Sequence, residues 1–305
     1  MAGEHPGRAR GCSGAWAPDS DGRAARGPSH EPGRCVPGRV RPAGPGDGEG
    51  RMSVNVSELA ARLSKAVADR TAITKLTDEF PELDIPTGYR VQRELRSAAG
   101  EIAGWKLGVT SRAKQAQVGV DSPIYGFLPA AGAVDLGEPL DTSALIQPRC
   151  EPEIVFTLGR NLEGPHITAA DVVAASSGVA VGIEVLDSRF VDYGFTMADV
   201  VADNTSASRF VVGVPVPPSG IDLRLVGVLL EKNGEVVATA SGAASLGHPA
   251  AAVAWLVRQL AAEDEGLAAG QIVLSGGLTA AVPVRPGDVV TATIDRLGSV
   301  ELGCR

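Results

Sequence analysis

No apolar run in this 305-residue chain approaches the roughly 18 residues needed to cross a bilayer, because Gly, Ser or charged residues interrupt each one. No basic stripe with interleaved aromatics occurs, and a formal net charge of -8 argues against a nucleic-acid partner, which is normally met by a concentrated basic face. Cys-x-x-Cys pairs are absent, and no histidines stand at zinc-finger spacing. Cys12, Cys35, Cys150 and Cys304 therefore read as reduced thiols of a cytoplasmic protein. There is no internal repeat and no secretory h-region. What is present is 44% hydrophobic residues, enough for a substantial core, in a composition typical of globular enzymes.

Residues 1–51 differ from the rest: about a third are Gly or Pro, eight are arginine, none is lysine, and apolar periodicity is lacking. Such a segment cannot bury enough surface to offset the entropy of ordering, so a disordered extension is expected there. Met52 is a second candidate for the initiator, since Ser53-Val54-Asn55-Val56-Ser57-Glu58-Leu59 reads like the start of a folded protein. Leu59, Leu63 and Val67 recur at helical spacing over residues 57–68, with Ser57 as N-cap, and a second helix is expected over 86–95. These form a helical region over 52–102. From residue 103 to the end, short apolar runs alternate with Gly, Pro, Asn and Asp. Strands are expected at 103–109, 153–158, 180–186, 208–214, 225–232, 236–240, 271–275 and 289–294, with an Asn233-Gly234 hairpin turn. One helix, 249–263, interrupts them, and His248 before Pro249 reads as a capping or packing residue. The fold class is α+β, rich in β-structure.

Pro148-Arg149-Cys150-Glu151-Pro152-Glu153-Ile154-Val155-Phe156 carries the most informative feature. Residues two apart on a strand share a face, so Glu151 and Glu153 project together from an apolar segment, and Glu184 lies in a second one, Gly182-Ile183-Glu184-Val185-Leu186. Buried carboxylates are unfavourable by several kcal/mol unless a cation or hydrogen-bond donors compensate them, and an all-oxygen set suits a hard ion such as Mg²⁺ or Mn²⁺. Glu-x-Glu by itself also describes a salt-bridged edge strand. In Ala103-Gly104-Trp105-Lys106-Leu107-Gly108, Lys106 sits inside an apolar run, where it could orient a carbonyl, shuttle a proton, or snorkel from an edge strand.

Taken together and in order, Gly104 to Ser111, Glu151-Pro152-Glu153, Glu184 with Asp187-Ser188-Arg189, Ala202-Asp203-Asn204-Thr205-Ser206-Ala207-Ser208-Arg209-Phe210, Leu246-Gly247-His248-Pro249 and Ser275-Gly276-Gly277-Leu278-Thr279 resemble the fumarylacetoacetate hydrolase superfamily. The likeness covers about residues 55–303. It is narrower to the branch of 2-oxopent-4-enoate hydratases and 4-oxalocrotonate (2-oxo-3-hexenedioate) decarboxylases of aromatic meta-cleavage pathways. The resemblance implies a mixed β-sandwich roll over 103–305 behind the helical region, with Mg²⁺ or Mn²⁺ held by Glu151, Glu153 and Glu184 and a catalytic role for Lys106. It also implies a homo-oligomer that acts on a small 2-oxo (di)carboxylate, and an association with the pathway hydratase.

Ser206 and Thr279 are candidate donors to substrate oxygens, or else make local turn hydrogen bonds. Arg112 and Arg189 are candidate counter-ions for a second substrate carboxylate, or else structural arginines. The hydratases of this family resemblance carry aspartate where this chain has Ile124, which would leave water without an acid/base partner. That detail, with Thr110-Ser111-Arg112-Ala113-Lys114 and Gly276-Gly277-Leu278-Thr279-Ala280-Ala281-Val282, favours decarboxylation of 4-oxalocrotonate to 2-oxopent-4-enoate. Hydration of 2-oxopent-4-enoate to 4-hydroxy-2-oxopentanoate is the alternative. Acylpyruvate hydrolysis would need a water-activating base that the spacing does not supply, and a non-catalytic partner subunit would have no use for the intact lysine and glutamates.

Overall fold

Two β-sheets and a set of helices make up the computed structural model, which describes residues 54–112, 115–116 and 120–305. The extension over 1–51 and the Met52 start lie outside the described residues. Three helices come first: α1 (Val56–Asp69), α2 (Leu76–Glu79) and α3 (Ile85–Ala98). The cap of α1 is Asn55, not Ser57: its side chain accepts from the Glu58 N–H at 3.3 Å, two residues earlier than the apolar stripe suggests. Asp84 caps α3 by accepting from the Thr87 N–H, and Pro86 occupies the first turn, where no N–H is needed.

Strand β1 (Ile102–Gly108) pairs antiparallel with β2 (Ile124–Pro129) and parallel with β8 (Ile272–Leu274). β3 (Arg149–Leu158), β4 (Ser176–Leu186) and β5 (Ala207–Val212) continue the sheet in the order β2-β1-β8-β3-β4-β5, and β9 (Val282–Pro283) pairs with β3. A second sheet runs β11-β10-β6-β7, from β6 (Gly227–Lys232), β7 (Glu235–Ser241), β10 (Val289–Ile294) and β11 (Gly298–Gly303). Val179, Val181 and Ile183 of the first sheet share one core with Val228, Leu230, Val290, Ala292, Val300 and Leu302 of the second. Burying some dozens of such side chains, at roughly 1.5–3 kcal/mol each, is what holds the sheets together.

Helices α4 (Ala169–Ala175) and α6 (Pro249–Ala261) join this core, the latter through Val253, Leu256, Val257 and Leu260. His248 caps α6, its Nδ1 accepting from the Ala250 N–H at 3.0 Å. Helix α5 (Met197–Ala202) follows β4 and packs Ala198 and Ala202 against Leu59, Leu63, Phe80 and Val91. The helical layer thus draws on residues far beyond 102. Among the described residues, no helix is long and apolar enough to cross a membrane.

Strand β3 begins at Arg149, four residues before the expected start, because Pro152 disguises it. On that flank β9 stops pairing at Cys150 and β8 begins only at Val155. The carbonyl of Pro152 points into this gap and accepts from the Leu278 N–H at 3.0 Å. A residue's N–H and C=O point the same way in a strand, so the proline's missing donor falls where no ladder partner waits.

Candidate metal and catalytic site

Register, more than loop geometry, assembles the acidic centre. Glu151 of β3 pairs directly with Glu184 of β4, and Glu153 is two residues along the same strand, so all three side chains emerge on one face. Their carboxylates can each offer an oxygen within 4.8 Å of the other two. Glu153 and Glu184 are completely buried, and Glu151 is nearly so.

Lys106 arrives from β1 and is 1% exposed. Its Nζ lies 3.1 Å from Glu184 Oε2, an ion pair without directed hydrogen-bond geometry, and donates to the Thr205 carbonyl at 3.2 Å. The Gly276 N–H, just after β8, donates to Glu153 Oε2 at 2.5 Å. That loop is pinned along β3, with the Ser275 hydroxyl donating to the Ile154 carbonyl at 2.7 Å and accompanied by the Leu278–Pro152 bond. Gly277 has to be glycine, since a Cβ there would lie 2.1 Å from Glu151 Oε2.

Donors do not match this negative charge. Glu153 Oε1 and Glu184 Oε1 are buried with no hydrogen-bond partner. Burial first, then the charges of Glu184 and Glu151, push the Glu153 carboxyl well above the ordinary carboxylate range, with Lys106 opposing. Burial likewise raises Glu184, against the pull of Lys106. Among the described residues, three buried carboxylates that can each bring an oxygen within 4.8 Å of the others, with Lys106 ion-paired to one of them and two of them keeping orphaned oxygens, fit a hard divalent cation on chemical grounds.

A model of the fumarylacetoacetate (FAA) hydrolase C-terminal family matches residues 91–303. The chain belongs to the fumarylacetoacetate hydrolase family. It is 43% identical over 250 residues to a 4-oxalocrotonate decarboxylase of Pseudomonas sp. (strain CF600), covering 80% of this chain and 95% of the relative. A 2-keto-4-pentenoate hydratase of Burkholderia vietnamiensis (strain G4 / LMG 22486) is 40% identical over 251 residues, covering 81% and 96%. Among solved structures, 4-oxalocrotonate decarboxylase from Pseudomonas putida G7, complexed with magnesium and adipate, superposes with a TM-score of 0.79 at 44% identity, covering 82% of this chain and 97% of that one. Both the family resemblance and the β-rich α+β fold with a helical N-terminal region are thereby borne out.

Within this family fold, the other predicted residues separate. Ile124, at the start of β2, is buried with Val200 and Val201 beside Tyr89, Phe195 and Met197. It also lines a cleft of about 640 Å³ with Asp121 and Trp255, which none of the three glutamates borders. Arg112 is exposed, four residues beyond β1, while residues 113–114 of its motif lie outside the described residues. Thr279 is half-buried and donates to the Ala280 carbonyl at 3.0 Å. The Ser206 hydroxyl is buried and donates to Asp203 Oδ2 at 3.3 Å. Both hydroxyls therefore make the local bonds that their loop positions allowed.

Arg189 takes the structural one of the two readings its sequence left open. Its guanidinium is buried and paired with the Asp203 carboxylate, and it also donates to the carbonyls of Asp187, Asp203 and Ala207. Four of its five N–H donors are thus committed to the fold, which marks it as a structural arginine. Burial pushes Asp203 up to about 6 even against this arginine. Two participants had no sequence signal at all, the Gly276 N–H and the Thr205 carbonyl, because backbone groups carry no residue type.

Proposed function

We propose that this protein is a divalent-metal-dependent decarboxylase that converts 4-oxalocrotonate (2-oxo-3-hexenedioate) to 2-oxopent-4-enoate in the meta-cleavage degradation of aromatic compounds. The observation that carries this reading is the buried Glu151, Glu153 and Glu184 set with Lys106 against it, in a chain 43% identical to a 4-oxalocrotonate decarboxylase. Adipate, bound by the Pseudomonas putida enzyme, is a saturated six-carbon diacid of the same length as this substrate.

The diacid's far carboxylate is vinylogous to that of a β-keto acid, so losing CO₂ leaves a dienolate with its charge on the C2 oxygen. Mg²⁺ or Mn²⁺ in the glutamate set supplies the Lewis acidity that favours this charge over the ground state. Glu151, Glu153 and Glu184 would hold the ion. Lys106, fixed between Glu184 Oε2 and the Thr205 carbonyl, keeps a further N–H to polarise the carbonyl or to deliver the proton that quenches the dienolate. Ile124, buried with Val200 and Val201, offers no acid/base group at the position where the hydratases carry aspartate, which favours decarboxylation over hydration. Arg112, exposed four residues beyond β1, is the arginine we assign to the distal carboxylate. The chain acts in the cytoplasm as a homo-oligomer that hands its product to the pathway hydratase before the dienol tautomerises.

Hydration of 2-oxopent-4-enoate is the second reading, favoured by hydratase relatives at 40% identity. Purified protein with Mg²⁺ should consume 2-oxo-3-hexenedioate, followed by its ultraviolet absorbance, with stoichiometric CO₂ release. Turnover of 2-oxopent-4-enoate without CO₂ from the diacid would overturn the assignment.

A further inference from the structure

The first sheet ends at β2 on one edge and β5 on the other, yet the two edges meet. Asn204, three residues before β5, closes the gap with its side chain. Its Oδ1 accepts from the Phe127 N–H at 2.9 Å and its Nδ2 donates to the Phe127 carbonyl at 2.9 Å. The amide thus stands in for the strand that β2 lacks. The Thr205 hydroxyl adds a bond to the Tyr125 carbonyl at 2.9 Å, and the Val134 N–H, beyond β2, reaches the Phe210 carbonyl of β5 at 2.8 Å. Gly126, the residue paired with Lys106, leaves room for this latch, since a Cβ there would lie 2.7 Å from Asn204 Oδ1.

The latch holds an unfavourable backbone. Asn204, Thr205 and Ser206 have φ of 49°, 54° and 57°, three consecutive non-glycine residues in the left-handed region that L residues avoid. Such a turn persists only where its surroundings over-determine it, and the turn has a visible product: it aims the Thr205 carbonyl at Lys106 Nζ, 3.2 Å away. On its other side, among the described residues, the ammonium is ion-paired with Glu184 Oε2. Remove the aim of that carbonyl, and the lysine is tethered on one side.

We propose that Asn204 is a positioning residue for Lys106, latching the two sheet edges so that the Thr205 carbonyl fixes the ammonium in its reactive place. This rests on the reading of Lys106 as the catalytic lysine. Displacing a reacting group by about 1 Å from a distance costs on the order of 100-fold in rate.

The test uses the full chain loaded with Mg²⁺ and 2-oxo-3-hexenedioate as substrate. Asn204→Ala and Asn204→Gly should each lower kcat by on the order of 100-fold while leaving KM and the Mg²⁺ Kd within roughly threefold. Glycine accepts the left-handed turn without strain, so recovery of kcat in Asn204→Gly would show that only the backbone conformation matters and would overturn the proposal. Asn204→Asp, which keeps the acceptor for the Phe127 N–H and loses the donor, guards against misfolding and should show a smaller loss of kcat. In ¹⁵N-lysine-labelled protein, the Lys106 ammonium signal should be slow to exchange in the wild type and lost in Asn204→Ala. Parallel loss of kcat, Mg²⁺ affinity and Tm would mark a general structural role and sink the proposal. Lys106→Met is the control: full activity there refutes the reading of Lys106 itself, whereas an inactive Lys106→Met beside fully active Asn204 variants refutes the latch alone.

Discussion

Glu151 and Glu184 stand directly opposite each other across β3 and β4, a like-charge cross-strand pair in the most buried part of the sheet. Such a pairing is destabilising unless something positive lies between the two. Lys106 supplies one charge, and the orphaned oxygens of Glu153 and Glu184 leave place for two more.

Glu153→Gln should therefore fold at least as well as the wild type without metal, because it replaces a carboxyl that burial already disfavours in its charged form. In wild-type protein, Mg²⁺ at a hundredfold its Kd should add about 2.7 kcal/mol of stability. Thermal unfolding with and without Mg²⁺ should show that increment absent in the variant, together with metal-dependent turnover. An undiminished increment would refute Glu153 as a ligand.

Gly277→Ala tests the close approach of the loop after β8 to Glu151. The new methyl would sit 2.1 Å from Glu151 Oε2, so the carboxylate or the loop has to move. Calorimetric titration should give Mg²⁺ binding weaker by roughly tenfold or more, the usual scale for disturbing what orients a ligand. The circular dichroism spectrum should be unchanged.

Arg189→Met leaves Asp203 buried without its partner and should cost roughly 3–5 kcal/mol in urea unfolding. The sign of its pH dependence follows from Asp203, already pushed up to about 6 by burial. A carboxyl with a raised folded-state pKa favours folding below its unfolded value and loses that contribution as pH rises through the folded one. Losing the arginine raises Asp203 further, so the variant should be less stable at pH 8 than at pH 5. A flat profile would show that Asp203 does not carry the cost.

His248 gives the opposite slope. Burial, then the neighbouring Arg224, lowers its pKa from the ordinary value, and protonating Nδ1 would destroy the acceptor that caps α6. Its contribution is present above the unfolded pKa near 6.5 and is lost as pH falls below it. The contribution is at most about 1 kcal/mol, the worth of an N-cap. Measured from pH 7.5 to pH 5, wild-type stability should fall more than that of His248→Asn, whose cap does not titrate.

An apolar run from Glu153, with Glu151 two residues before it, made β3 and its two glutamates legible in the sequence, and a lysine inside an apolar run marked β1 as unusual. Each is a local pattern that needs no partner to be seen. Arg189 was open to misreading because its partner Asp203 lies 14 positions on, and only the fold brings them together. The start of β3 was hidden by Pro152, whose place in a strand depends on a gap left by β8 and β9. Asn55 was passed over for Ser57 because both residue types cap helices, and backbone position alone separates them. The carbonyl of Thr205 was invisible for the plainest reason, that every residue has one.

Strand β8 is only three residues long, but it separates β1 from β3 and reaches them from position 272 of the chain. Lys106 and the glutamate pair, although encoded early, cannot come into their final arrangement until that late strand is inserted between their own. During synthesis, the glutamates can pair through β3 and β4 alone, but they stay without the Gly276 N–H and without the final placing of Lys106 while more than four-fifths of the 305 residues are made. A nascent chain halted before Ile272 would expose both flanks, with neither the ladder nor the Gly276 N–H to close them.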